Sequence, residues 1–238
     1  MSENLVIVST VEQAKNRYNL KSNELIMPIK IPSIISSGDM AWVITSKDPR
    51  TLISMNFGFT GHSSESRTDI LIIQSDDISN KDKDHDYDRL MGIFAKPHLS
   101  EPIVSFRCAV IVDAFLVTSY DNTNYLIHMQ NHERPFALAG IYDHWQDPKT
   151  GIYHTGFAIL TAEANPMLKR IGVNFMPVIL NKNNVFTWLD LRCDRRKVYS
   201  LIHTYPDDMM NGYPVSGKIF SSQCSKDNLL PIGLRLKS

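Results

Sequence analysis

The chain has 238 residues, 43% of them hydrophobic, which is enough for one sizeable core and excludes a disordered or collagen-like polymer. Its 25 Lys and Arg balance 25 Asp and Glu, so it lacks the basic excess with which a general nucleic-acid binder meets phosphates. Cys108, Cys193 and Cys224 are widely spaced, with no CxxC or Cys/His cluster, which points away from zinc and toward free thiols in a reducing compartment.

The opening MSENLVIVST holds an apolar run too short for a signal peptide. No stretch approaches the roughly 20 apolar residues of a membrane span, so a cytoplasmic protein with no membrane partner is expected. Val11 to Tyr18 predicts a short amphipathic helix with Thr10 as its N-cap. Pro28 to Pro32 predicts an extended segment, because proline disfavours helix in the residue before it. Met40 to Thr45 and Thr51 to Phe59 are β-rich runs around the turn signal Lys47-Asp48-Pro49-Arg50, which predicts a hairpin. Ile70 to Ile73 is a further apolar run. Asn80 to Arg89 reads as a solvated loop or helix start rather than a metal loop: Lys83 and His85 interrupt its acids, and it lacks the glycine and distal glutamate of an EF-hand. Strands are then expected at Cys108 to Thr118, Asn124 to Gln130, Phe136 to Asp143 and Tyr153 to Thr161, separated by turn residues. Ala164 to Arg170, Val185 to Leu191 and Arg195 to His203 read as short helices. The sum is one α+β domain over residues 1–238, a curled, mostly antiparallel, barrel-like sheet with a few flanking short helices.

Several fragments carry a family resemblance. Arg107-Cys108 followed by Asp113-Ala114-Phe115 is similar to a strand of the form R-C-L-x-P-A-D-G-F-Y-E-W. Pro135 to Tyr142 closed by Trp145, Phe157 to Thr161 with Ala164-Asn165, Met176 to Leu180 with Trp188-Leu189, and Tyr213 with Val215-Ser216 follow in the same order. The early helix and Met55 to Phe59 match more loosely. Together they resemble the SOS response-associated peptidase (SRAP) family, most specifically over 107–216.

The resemblance implies an activity. In that family an N-terminal cysteine, exposed by removal of the initiator methionine, captures the aldehyde of an abasic site in single-stranded DNA as a thiazolidine. The α-amine titrates near pH 8 and can form an imine, and the thiol closes the ring. An Asn positions the sugar, and a Glu and a His move protons. Carried onto this sequence, the cysteine position is Ser2, whose hydroxyl is a poorer nucleophile. The basic residue two positions on becomes Asn4. Counting two residues from Phe115 places the Glu position on Val117, and counting three back from Met176 places the His position on Val173. The arginine before that Met becomes Phe175, beside Asn174. The family's N-A-R-S-E falls on Ile73 to Asp77, so its Asn and Arg become Ile73 and Ser75. With Phe57 and Thr161 these residues mark the expected groove for DNA or a partner.

The expectation is therefore an SRAP-like fold without the crosslinking step, retaining weak contact with single-stranded DNA or a protein partner. The alternatives are an active enzyme using Ser2 with relocated proton carriers, and a purely protein-binding module. The eight histidines show no HxH or HExxH spacing, so neither metal nor cofactor is expected. Ser63 to Ser66 lacks the context of a nucleophile elbow. The aromatics Phe57, Phe59, Phe115, Phe157 and Trp145 are read first as core packing, though Phe57 is also a groove candidate, and Phe175 is the aromatic singled out for the groove.

Overall fold

Thr10 starts helix α1 (Val11–Tyr18) as its capping role predicts. Its hydroxyl accepts from the Gln13 amide at 3.2 Å, and the Gln13 side chain accepts from the Thr10 amide at 2.7 Å. Asn19 closes the helix in the left-handed region, φ 52°. The computed structural model describes residues 4–22, 26–75, 93, 97–130, 133–220 and 225–236. Ser2, the charged run Asn80 to Arg89 and Cys224 lie outside the described residues.

β4 (Met40–Thr45) and β5 (Thr51–Phe57) form the expected hairpin, with Ile44 opposite Leu52. β5 stops at Phe57 because Gly58 bends the chain at φ 153°, and Phe59 bridges Ile70 instead. β4 pairs with β7 (Arg107–Val112), β7 with β10 (Phe136–Gln146), and β10 with β11 (Tyr153–Glu163), all antiparallel. A short parallel seam places Gly156 opposite Asn56 and Phe157 opposite Phe57, joining β11 back to β5. The five strands thus close on themselves as a barrel. The seam needs glycine: a Cβ on Gly156 would lie 1.8 Å from the Gly58 carbonyl oxygen.

The run Cys108 to Thr118, expected as one strand, is two. Asp113 breaks it, leaving β8 (Ala114–Thr118) in a second sheet. The Asp113 carboxylate turns back onto the chain and accepts from the amides of Val8 (2.7 Å) and Ser9 (2.8 Å) and from the Ser9 hydroxyl (2.5 Å). This second sheet runs in the order β14 (Met210–Val215), β9 (Asn124–Met129), β8, β1 (Leu5–Ile7), β3 (Ser33–Ile35), all antiparallel. Met176 to Leu180 divides likewise. β12 (Phe175–Pro177) pairs with β11 and β13 (Ile179–Leu180) with β10, with Val178 bonded to both neighbours.

Period-two alternation sorts the second sheet. Leu5, Ile7, Phe115, Val117 and Ile127 point into the main core shared with the barrel. Val6, Ala114, Leu116 and Leu126 point to the other side, where Val215 and Ile219 join them in a smaller cluster. Helices α2 (Pro97–Ser105), α3 (Pro166–Lys169), α4 (Val185–Leu189) and α5 (Arg195–Ser200) flank this framework. The α+β, barrel-like expectation is met, with the refinement that one parallel seam closes the ring.

Candidate functional site

β1 and β8 bring the two ends of the expected site together. Leu5 stands opposite Phe115, and the Leu116 amide donates to the Asn4 carbonyl at 3.0 Å. Asn4 itself accepts from the Ser36 hydroxyl at 2.6 Å. Val117 follows on β8, directed into the main core and fully buried (0% exposed). Val173, 4% exposed, reaches the same apolar core from the segment after α3. That segment is fixed at both edges: the Val173 amide donates to the Leu168 carbonyl at 3.1 Å, and the Tyr120 amide to the Ile171 carbonyl at 3.1 Å. Gly172 (φ 82°) lies flush against the Tyr120 ring, so the β8–β9 turn packs on the residue next to Val173.

The remaining groove positions divide. Ile73 and Ser75 lie in and just after β6 (Ile72–Gln74), which runs parallel to β11. The Ser75 hydroxyl donates to the Thr161 carbonyl, and the Thr161 hydroxyl to the Ile73 carbonyl at 3.4 Å. All three are buried, with their polar atoms turned to backbone. Phe175 pairs with Glu163 on the next strand and is half-buried, and Asn174 beside it is exposed. Phe57 lies apart inside the barrel, stacked on Phe157 with ring centroids 5.1 Å apart. Thr118, next to Val117, bonds Asn124 at 3.0 Å. Hydroxyls and amides of this kind do not act as bases near pH 7.

A different constellation was missed from sequence. Asp143 on β10 is buried, and one of its oxygens accepts from the backbone amide of His62 at 2.8 Å and contacts the His62 Nδ1 at 2.9 Å. Its other oxygen accepts from the His144 amide at 2.7 Å. The His62 Nε2 stands 3.3 Å from Glu101 on α2. The Asp143 hydrogen bond, with smaller help from charge on Asp143 and Glu101, raises the His62 pKa against partial desolvation. The available signal was an acid inside the apolar strand run Phe136 to Asp143, since a buried carboxylate requires a partner. The partner is 81 residues away and unpatterned.

Cys108 is buried, and burial pushes its thiol pKa up, so it has no thiolate character to offer. Among the described residues no group of three His, Cys, Asp or Glu could hold a metal ion. Among the same residues no helix is long and apolar enough to cross a membrane.

Over 139 residues the chain is 30% identical to "Abasic site processing protein YoqW" of Bacillus subtilis (strain 168), and equally to the protein of that name from Bacillus phage SPbeta. The match takes in 57% of this chain and 61% of each relative's length. A crystal structure of a protein from Bacteroides thetaiotaomicron shares the fold at a TM-score of 0.77 and 21% identity, over 97% of this chain and 99% of that one. A phage-related protein from Bordetella bronchiseptica does so at 0.65 and 17% identity, over 92% and 96%. Residues 4–222 match the family model "SOS response associated peptidase (SRAP)", and the chain belongs to that family.

Proposed function

We propose that this chain is a single SRAP domain, related to proteins that process abasic sites in single-stranded DNA, in which the crosslinking step itself has been lost. The reading rests above all on Val117 and Val173, the residues that the resemblance puts at the proton-moving positions, both of which are buried in the main apolar core. Neither side chain can carry a proton. Ser2 adds the loss of a thiol at the position that would close the ring. What remain are Asn4, Asn174 and Phe175, the groove positions with exposed or half-buried side chains, for weak non-covalent contact with a DNA strand. The name of the curated relatives supports the DNA connection, and the valines argue against the chemistry.

Incubation with a single-stranded oligonucleotide carrying one abasic site, followed by borohydride trapping, tests this. No adduct is expected, while intact single strands bind weakly and in a salt-sensitive way. An adduct that disappears when the N-terminal amine is blocked overturns the reading.

A further inference from the structure

A cleft of about 430 Å³ opens on the outer face of the five-stranded sheet, between β8, β9 and β14 and the C-terminal segment. Its floor is apolar, from Val6, Ala114 and Leu126. One wall carries the rings of His128 and Tyr213, packed edge to face with centroids 5.6 Å apart. The mouth carries two guanidinium groups, Arg134 from the β9–β10 connection and Arg235 from the C-terminal segment. A second hollow of about 320 Å³ continues it past Arg134 toward Gln13.

Neither Asp113 nor Glu133 compensates the charge at the mouth. Asp113 lines the cleft, but both its oxygens are turned to the Val8 and Ser9 amides and the Ser9 hydroxyl. Glu133, the acid next to Arg134 in the chain, is taken by Arg17 at 2.9 Å. Among the described residues neither Arg134 nor Arg235 forms an ion pair. Burial raises the pKa of the Tyr213 phenol, and the two arginines oppose it. The Tyr213 hydroxyl donates to the Leu229 carbonyl at 3.0 Å, which fixes the ring as a wall and ties the C-terminal segment over the cleft. Backbone bonds from Ile232 to Pro214 (2.9 Å) and from Leu236 to Gly212 (2.7 Å) hold that segment along β14, with Arg235 between them.

We propose that this cleft binds a nucleoside phosphate, its ring against Tyr213 and His128 and its phosphate between Arg134 and Arg235. The volume lies within the range of small-molecule sites, which are mostly apolar with a few convergent polar groups. Guanidinium forks match phosphate oxygens in pairs. Aromatic walls accept any base, since every base offers a π-face. The site is independent of the proposed loss of crosslinking, because Val117 points to the opposite face of the same sheet. The ligand can be a free nucleotide or the phosphorylated end of a strand, and the two share this chemistry.

Calorimetric titration of the full chain separates them. The probes are AMP and TMP, the matching nucleosides, inorganic phosphate, and a short oligothymidylate with and without a 5′-phosphate. A phosphorylated probe should bind at least about tenfold more tightly than its unphosphorylated counterpart, and Arg134→Gln with Arg235→Gln together should remove that difference. Binding of AMP or TMP assigns the free nucleotide; binding of the phosphorylated oligonucleotide alone assigns the strand end. Both arginines are exposed, so the double variant keeps the fold, checked by an unchanged melting temperature. The proposal fails if phosphorylated and unphosphorylated probes bind alike or not at all. It fails equally if the double variant binds as the parent does, or if inorganic phosphate binds as tightly as the nucleotides.

Discussion

Val117 shows how a single position carries the argument. It stands two residues beyond Phe115 on β8, and both side chains enter the main core. A carboxylate there would leave water with no compensating charge, and its pKa would rise. Val117→Glu should therefore lower stability by roughly 3 kcal/mol at neutral pH, measured by urea denaturation. The sign follows from the raised folded pKa: the protonated side chain is tolerated better, so the penalty shrinks as pH falls toward the unfolded value of about 4.3. A variant as stable as the parent at pH 7 would mean that water reaches position 117, and the dry-core account would go with it. Val117 and Val173 were singled out by counting from neighbouring motif residues, and both lie buried in the main core. The partner of Asp143 was not legible, because nothing local marks a contact made across 81 residues.

Between elements, two side chains act as fasteners. Arg107 is buried at the start of β7, and its guanidinium donates to the carbonyls of Ile103 (2.8 Å) and Val104 (2.9 Å) near the end of α2. It also donates to Trp188 (2.6 Å) and Asp190 (2.9 Å) at the end of α4. One cation thus satisfies orphan carbonyls at two helix C-termini, where the macrodipoles favour positive charge. His62 is the second fastener, joining its own loop to β10 through Asp143 and to α2 through Glu101. Its folded pKa lies above the ordinary 6.5. The stability it adds is fully present below pH about 6.5 and is lost as pH rises through the folded value. The side chain is 47% exposed, so the effect is modest, about 0.5 kcal/mol. Comparing denaturation midpoints of the parent and His62→Gln from pH 5.5 to 8.5 should show them converge at the alkaline end. A constant gap across that range would assign the residue a packing role only. Helix α1, with its capping box, and the β4–β5 hairpin were legible because their signals are local. The division of the chain at Asp113 was not, since an apolar run looks the same whether it stays in one sheet or crosses to another.

For the molecule as a whole, closure of the barrel depends on a seam of two paired positions. Gly156→Ala would drive a methyl group into the Gly58 carbonyl, and backbone on both sides prevents an easy escape. A loss of roughly 3 kcal/mol or more is expected, visible as a large drop in melting temperature. Gly217→Ala, where the added carbon meets nothing within 4 Å, should stay within about 0.5 kcal/mol and serves as the control. Equal stability of the two variants would show that the seam is not a point of closure. The barrel-like character was legible in the spacing of short strands. The parallel seam was not, because its two strands, Thr51–Phe57 and Tyr153–Glu163, are separated by most of the other barrel strands.

That separation matters during synthesis. β5 is made about a hundred residues before β11, and until β11 emerges from the ribosome one flank of the sheet presents unpaired amides and carbonyls. Among the described residues, only the two-residue β2 (Lys21–Ser22) pairs along that flank in the meantime, against Thr51 and Leu52. The nascent chain is thus exposed to intermolecular strand pairing for the interval needed to translate the middle of the protein, and slow translation there would favour aggregates over the closed ring.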